Sequence, residues 1–234
     1  MTRRPSSAGS PPDPAGPDRT PCAVRLVLAR HGRTAANVAR ALDSRPPGAP
    51  LDELGRAQAV ALGVRLASWP VRAVHASLAL RAQQTAAPVA RAHGLPVVET
   101  DGVHEVFCGD YEGRSDVEAR AEFDRVYAAW WRGEWDERMP GGESATQVRE
   151  RYLAAVGAIV DGAAPGDVVL VSHGAAIRLA AGALLGEGAE TAYVPNTGLV
   201  VLRADAGSAT GWVLESWDAA VPVPGDVTAG GAPA

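Results

Sequence analysis

The chain of 234 residues carries a formal net charge of -5, and 47% of its residues are hydrophobic, enough to bury a substantial core. All 22 of its basic residues are Arg and lie scattered along the sequence, which excludes Lys-based Schiff-base chemistry and the clustered basic surface of a nucleic-acid-binding protein. The two cysteines, Cys22 and Cys108, form no CxxC pair, which argues against a disulfide framework and a structural zinc site.

The two ends of the chain differ in composition from its middle. Residues 1–22 are dominated by Pro, Ser, Gly and Asp, and residues 219–234 are similar, so we expect disordered tails on either side of one domain over residues 23–218. No apolar run is long enough to span a bilayer, and the first 20 residues lack the apolar segment of a signal peptide. These features predict a cytoplasmic protein that does not contact a membrane.

Strand and helix patterns alternate through the middle of the chain. Short apolar runs predict strands over residues 24–29, 71–76, 97–98, 167–172, 199–203 and 212–216. Helical spacing of apolar residues predicts helices over residues 52–68, 79–93, 115–131, 145–160 and 175–185. Such alternation predicts an α/β fold with helices on both faces of a mostly parallel sheet. The apolar run within residues 167–172 suits the centre of that sheet.

Two of the predicted strands end in the same way. The first runs into Arg30-His31-Gly32 and the later one into Ser172-His173-Gly174, and a helical pattern follows each. Ligands of open α/β sheets bind at the carboxyl ends of the strands, so we expect His31 and His173 to share one site. Gly32 lets the backbone approach a bound group closely because it has no Cβ.

A third strand end adds a second guanidinium. Arg81 follows the predicted strand over residues 71–76 and opens the next helix. By itself this residue would be interpreted as a solvated helix charge. Together with Arg30 it would direct two guanidinium groups at one anion, the bidentate geometry that phosphate favours. The sequence therefore favours a phosphate site at this edge of the sheet.

These motifs resemble the signature of the histidine phosphatase superfamily, the phosphoglycerate mutase-like proteins. The matching blocks occur in the family's order between about residues 24 and 217: Arg30-His31-Gly32 with Thr34 and Asn37, residues 50–59, residues 77–86, Glu105 with Tyr111-Glu112-Gly113, residues 140–144, and Ser172-His173-Gly174. The resemblance implies a three-layer α/β sandwich with a small helical cap.

The resemblance also implies a role for each matching residue. His31 would be the nucleophile that forms a phosphohistidine, and Glu105 would be the proton donor. The phosphoryl oxygens would be held by Arg30, Arg81 and His173. Further contacts to the phosphate or the substrate are expected from Asn37, Gly174, Thr34 and Arg33. No metal ion and no cofactor is implied.

Two features of the sequence bear on the identity of the substrate. Arg33 stands where many members of the family carry an acidic residue or Gln, and the Pro-rich segment 43–50 contains Arg45. Either cation would favour a substrate with a second negative group, or would simply be solvated. The predicted cap also holds an aromatic cluster, which either walls a pocket or packs the cap, and packing is the simpler expectation: Tyr127, Trp130, Trp131 and Trp135.

The predicted function is hydrolysis of a small-molecule phosphomonoester, such as a sugar phosphate or a phosphoglycerate derivative, with release of inorganic phosphate. Phosphoglycerate mutase-type transfer and non-catalytic binding of a phosphorylated ligand are the alternatives. Mutases of the cofactor-dependent type carry a longer insert with Lys and Arg after the acid, and the short segment after Glu105 favours water as acceptor. The complete set of proposed catalytic residues disfavours a binding module. The sequence leaves the oligomeric state open, and a homodimer is one option.

Overall fold

The computed structural model describes residues 24–161, 163–186, 189 and 191–218. The predicted tails over residues 1–22 and 219–234 lie outside these described residues. Six strands and six α-helices occur in the described part of the chain.

The elements follow the predicted order closely. The strands are β1 (Val24–Arg30), β2 (Val71–Ser77), β3 (Val97–Thr100), β4 (Gly166–Ser172), β5 (Leu199–Ala204) and β6 (Trp212–Trp217). The helices are α1 (Ala35–Ala39), α2 (Glu53–Leu66), α3 (Leu80–His93), α4 (Val117–Trp131), α5 (Ala145–Val160) and α6 (Gly174–Leu185), and a 3-10 turn spans Gly109–Tyr111. Each predicted strand and helix is confirmed, with bounds that differ by a few residues at most.

Capping residues explain where several helices begin and end. Asp52, Asp116 and Ser144 precede α2, α4 and α5, and each side chain accepts a hydrogen bond from the backbone N–H of the third helical residue. These bonds satisfy donors that have no partner within the helix. Gly94 ends α3 with a φ of 65°, a left-handed conformation that favours glycine.

The sheet has the strand order β3-β2-β4-β1-β5-β6. The first four strands in this order are parallel, whereas β5 pairs antiparallel with β1 and β6 pairs antiparallel with β5. The apolar run in β4 therefore lies at the centre of the parallel part, as predicted. Arg30 at the end of β1 is the register partner of Ser172 at the end of β4, so the residues that follow both strands meet at one edge.

Hydrophobic cores lie on both faces of the sheet. Leu62 of α2 and Val89 of α3 pack with Val169 on one face. Ile177 of α6 and Tyr152 of α5 pack with Leu170 on the other. Because successive residues of a strand point to opposite faces, Val169 and Leu170 anchor the two cores from adjacent positions of β4. The predicted arrangement of helices on both faces is confirmed.

The Leu170→Ala variant should be destabilised by about 2–5 kcal/mol, because it removes a fully buried side chain and leaves a cavity. Val64→Ala, on a face of α2 where the side chain is 73% exposed, should change the free energy of unfolding by less than about 0.5 kcal/mol. Urea unfolding followed by circular dichroism measures both. Equal effects for the two variants would contradict the central position of β4.

Candidate active site

His31 lies directly after β1 and is almost completely buried. Its Nδ1 is 2.7 Å from the carbonyl oxygen of Gly32. A carbonyl can only accept a hydrogen bond, so Nδ1 carries the proton and Nε2 keeps its lone pair. The backbone at this position is fixed as well, because Asn196 Nδ2 donates to the His31 carbonyl over 2.9 Å. The imidazole is thus held with one defined nitrogen available for reaction.

Gly32 is required by a close backbone contact. A Cβ at this position would lie 2.6 Å from the carbonyl oxygen of Gly55 in the first turn of α2. The absence of a side chain therefore lets the end of β1 pack against α2. The described structure thus gives a reason for this glycine that differs from the predicted approach to a ligand.

Two guanidinium groups flank the imidazole. Arg81 extends from the first turn of α3, and its Nε is 3.2 Å from His31 Nε2. Its Nη2 donates to the backbone carbonyl of Asp43 over 2.8 Å. Arg30 donates from Nη1 to the hydroxyl of Tyr193 over 2.7 Å and to a neighbouring backbone carbonyl. Both side chains are almost completely buried, so their positions are set by these bonds.

His173 is fully buried beside His31, with the two ring centroids 5.1 Å apart. Its Nε2 lies 2.9 Å from Ser77 Oγ at the end of β2. His173 is not among the residues that line the cavity above His31, whereas the following residue, Gly174, is. The shared edge predicted for the two histidines is therefore present, with His173 beneath the cavity surface.

Burial and positive charge lower the pKa values of both histidines well below 6.5. For His31 the largest cause is burial, followed by the charges of Arg81 and Arg30. For His173 burial is again first, followed by Arg81. Both rings are therefore neutral near pH 7. Neutral imidazole is the form that can act as a nucleophile.

Glu105 reaches the same cavity from the loop after β3. Its Oε1 accepts hydrogen bonds from the N–H groups of Val106 at 2.9 Å and Ala176 at 3.0 Å, and its Oε2 accepts from Ala175 at 3.2 Å. Two of these donors belong to the first turn of α6, where the helix dipole favours a negative group. The carboxyl is thereby fixed near the nucleophile although 74 residues separate them in the chain.

An ion pair holds the loop that carries Glu105. Arg151 of α5 and Glu143 form a two-pronged pair with both nitrogen-oxygen distances at 2.8 Å. Arg151 also donates to three carbonyls of this loop, those of Gly102, His104 and Glu105. Glu143 accepts in addition from the N–H of Phe107 over 2.9 Å. Sequence reasoning marked residues 140–144 but missed Arg151, since nothing in its helical pattern separates it from a surface charge.

A cavity of about 730 Å³ opens above His31. Its inner end is lined by the residues described above: Arg30, His31, Arg81, Glu105 and Gly174. Its outer part is lined by aromatic side chains of α4, namely Phe123, Tyr127 and Trp131, and by Arg178 of α6. The cavity thus combines a charged floor with a largely aromatic wall.

The remaining predicted substrate contacts divide into two groups. Thr34 and Asn37 line the cavity, where they also form the capping box of α1 by exchanging side-chain to backbone bonds of 3.1 Å. Arg33 and Arg45 are not cavity-lining residues. The Arg33 guanidinium pairs with Asp52 at 2.8 Å, and that of Arg45 lies over the ring of Phe107. Of the two alternatives stated for these cations, the structure favours the one in which they do not contact the substrate, and the predicted contact of Arg33 stays a prediction.

The aromatic side chains of the predicted cap occupy two kinds of position, in the core and at the cavity. Trp130 is fully buried and donates from Nε1 to the carbonyl of Glu137, so it packs as expected. Trp131, the next residue, is 36% exposed and faces the cavity. The guanidinium carbon of Arg178 lies 4.6 Å from the Trp131 ring centroid and 5.4 Å from that of Tyr127. Sequence reasoning overlooked Arg178, because its contacts with Trp131 and Tyr127 form only in the tertiary structure.

A neutral, buried imidazole beside guanidinium groups, at the carboxyl edge of a parallel sheet, is an arrangement that suits the binding of a phosphoryl group. The chain belongs to the histidine phosphatase superfamily, branch 1, whose family model matches residues 26–219. The resemblance inferred from the motifs is confirmed.

The chain is similar to several curated proteins. Glucosyl-3-phosphoglycerate phosphatase of Mycolicibacterium vanbaalenii is 32% identical over 222 residues, which cover 87% of this chain and 98% of that protein. The probable phosphoglycerate mutase GpmB of Yersinia pestis is 31% identical over 198 residues, covering 82% and 92%. The chain spans only 37% of the length of a third relative, the PE-PGRS family protein PE_PGRS11 of Mycobacterium tuberculosis, at 30% identity over 219 residues.

The chain is also similar in structure to a phosphatase whose structure has been solved. The native structure of a mycobacterial glucosyl-3-phosphoglycerate phosphatase superposes with a TM-score of 0.71 at 29% identity, covering 85% of this chain and all of that one. Glucosyl-3-phosphoglycerate phosphatase, a phosphoric monoester hydrolase, is thus a relative of this chain both in sequence and in structure. The described residues contain no helix that is long and apolar enough to cross a membrane.

Stability should fall as the pH drops below about 6.5, because the unfolded chain then takes up protons that the two buried histidines do not. Each such histidine should cost about 1.4 kcal/mol of unfolding free energy per pH unit between its unfolded and its folded pKa. Urea titrations between about pH 7 and pH 5 measure this slope. His75 and His104 also have lowered pKa values and add to the slope, so His173→Gln should remove one histidine's share of it. An unchanged slope would contradict the burial of a neutral ring at this position.

Proposed function

We propose that this chain is a metal-independent phosphatase that hydrolyses small phosphomonoesters through a phosphohistidine at His31. The observation that carries the proposal is the setting of His31 Nε2, a neutral nitrogen 3.2 Å from Arg81 Nε, in a cavity that Glu105 also lines. The family and the names of the relatives support the same reaction class.

In the first step, the lone pair of His31 Nε2 forms a bond to phosphorus as the bond to the ester oxygen breaks. Glu105, in its protonated form, gives its proton to that oxygen, so the product leaves as a neutral alcohol. The guanidinium groups of Arg30 and Arg81 stabilise the negative charge that spreads over the three other phosphoryl oxygens. The Gly174 N–H, at the start of α6, is assigned to the same oxygens. The contact expected from His173 stays a prediction, because its ring lies beneath the cavity surface.

In the second step, water replaces the imidazole. Glu105 is now a carboxylate and takes a proton from the water molecule as its oxygen attacks phosphorus. The phosphorus–nitrogen bond breaks, inorganic phosphate forms, and His31 regains its neutral state. The hydrogen bond from Nδ1 to the Gly32 carbonyl stays in place throughout and stabilises the positive charge that the ring gains on attack.

The substrate is a small phosphorylated metabolite, of the class to which sugar phosphates and phosphoglycerate derivatives belong. The volume of the cavity, about 730 Å³, falls within the range of sites that enclose a small molecule. One relative is named for glucosyl-3-phosphoglycerate, which belongs to this class. A cytoplasmic location and a homodimer stay predictions.

Replacing His31 by Ala should lower the turnover of phenyl phosphate by at least about 1,000-fold, because no other side chain in the proposed mechanism takes the nucleophile's place. Phosphate release in the presence of EDTA measures the effect and tests metal independence at the same time. Arg45→Met, outside the cavity lining, is the control and should keep wild-type turnover.

The same assay separates the alternatives. Near-normal turnover in His31→Ala would contradict the nucleophile assignment. Interconversion of phosphoglycerates that outpaces phosphate release in the wild-type protein would favour the mutase reaction, for which the relative named GpmB is the precedent.

Glu105→Gln should affect esters according to their leaving groups. Turnover of an alkyl phosphate should fall by about 10²–10⁴-fold, since the alkoxide needs a proton. With 2,4-dinitrophenyl phosphate the first step needs no acid, so stopped-flow absorbance should show a burst of dinitrophenolate near one equivalent, followed by slow steady-state turnover. Glu99→Gln is the matched control, an exposed carboxyl on β3 that should behave as wild type. Equal losses for both esters without a burst would contradict the acid–base role.

A further inference from the structure

The cavity carries an excess of positive charge although the chain as a whole is negative. Six Arg residues line it, against three carboxyl groups: Arg30, Arg40, Arg81, Arg120, Arg132 and Arg178 face Asp43, Glu105 and Asp124. The formal charge of the whole chain is -5, so the excess is local to the cavity. Arg132 also pairs with Glu134, outside the lining, at 3.0 Å, so the formal surplus is two, about the charge of a phosphate monoester near neutral pH. What these cations can bind therefore depends on where they lie in the cavity.

Three of these Arg residues lie at two different places in the cavity. Arg30 and Arg81 lie at the floor beside the nucleophile and serve the phosphoryl group. Arg178 lies one helical turn after Gly174 on α6, so the two residues share a face of the helix. Its position is therefore displaced from the phosphate site by about 6 Å along the helix.

The Arg178 guanidinium is held in a fixed position. It stacks against the rings of Trp131 and Tyr127 at 4.6 Å and 5.4 Å, and its Nη2 donates to the carbonyl of Thr191 over 3.1 Å. A guanidinium fixed in this way loses little side-chain entropy when it binds an anion, and its planar donors match a carboxylate or a phosphate. The aromatic side chains of α4 line the same cavity as the guanidinium groups of Arg30 and Arg81.

We propose that the substrate carries a second anionic group, a carboxylate or a second phosphate, which Arg178 binds on its aromatic platform. A ring or another apolar spacer of the substrate then lies along the α4 wall, between the two anionic groups. This inference rests on the proposed phosphatase function and adds the class of substrate. The role that the sequence left open for Arg33 or Arg45, binding of a second negative group, is in this proposal taken by Arg178.

Three aryl phosphates test the inference, with 4-(carboxymethyl), 4-(phosphonomethyl) or 4-(2-hydroxyethyl) groups on the phenyl ring. The substituents are each joined to the ring through a methylene carbon, which keeps the leaving phenols similar in acidity. We expect kcat/KM to be about 10- to 100-fold higher for an anionic compound than for the hydroxyethyl compound, the size expected for hydrogen bonds between charged groups. Comparison of the carboxylate with the phosphonate identifies which anion is preferred.

Arg178→Met should reduce this preference to less than about threefold, because it removes the guanidinium and keeps most of the side-chain volume. The matched control is Arg149→Met, since Arg149 also stacks on a tryptophan, Trp135 at 4.7 Å, and is not a cavity-lining residue. It should keep the wild-type preference. A wild-type preference that shrinks as the salt concentration rises from about 0.05 M to about 0.5 M provides a test that needs no variant.

Calorimetric binding of the corresponding benzylphosphonates, which cannot be hydrolysed, separates the two proposals. A binding preference for the anionic phosphonates that Arg178→Met abolishes supports the second anion site, whatever the turnover. Equal binding of the phosphonates whose second substituent is anionic and of the one whose second substituent is neutral overturns it. A preference that survives in Arg178→Met also overturns it. Wild-type protein that binds these phosphonates selectively but hydrolyses none of the esters would instead refute the phosphatase function alone.

Discussion

The hydrogen bond from His31 Nδ1 to the Gly32 carbonyl is the interaction on which the site depends. It determines which imidazole nitrogen keeps its lone pair, and it turns that nitrogen toward the guanidinium of Arg81. Burial and the nearby positive charges keep the pKa of the ring low, so the imidazole is neutral while cations surround it. The same charges that oppose protonation of the ring attract a phosphate dianion. The glycine that supplies the carbonyl is itself required, because the backbone of α2 leaves no room for a Cβ.

The sheet brings this group together with the others through its strand order. Because β4 lies between β1 and β2, the residues that follow these strands converge at one edge, and the first turns of α3 and α6 face the same cavity. Glu105 comes from a different part of the chain and is fixed by N–H groups of α6 and by the pair of Arg151 and Glu143. In the proposed mechanism Glu105 both gives and takes a proton, which needs such a defined position, since misplacement of a reacting group by about 1 Å can cost about 100-fold in rate.

The cavity has a floor of motif residues and an outer wall of other side chains. The floor holds the motif residues that place the protein in the histidine phosphatase superfamily. The outer wall is built by α4 and by Arg178, and we propose that it selects the phosphoester. One fold can host many functions because the residues around the site differ. The names of the relatives therefore indicate the class of reaction, and the substrate has to be inferred from the cavity. In our proposal, the aromatic wall and the Arg178 guanidinium determine the selectivity for the substrate.

The sequence by itself determined the strands, the helices and the shared edge of His31 and His173, because apolar periodicity, capping residues and strand ends are local signals. It also marked Arg81 and Glu105 through the family motifs. Only the tertiary structure decided that Arg33 pairs with Asp52, that Trp131 faces the cavity while Trp130 is buried, and that Arg178 stacks beside it. Adjacent helical residues point in directions about 100° apart, and which direction meets the cavity depends on how the helix packs. The bond from Arg30 to Tyr193 joins residues 163 positions apart, a contact that no local pattern encodes because it is formed by the packing of the whole domain.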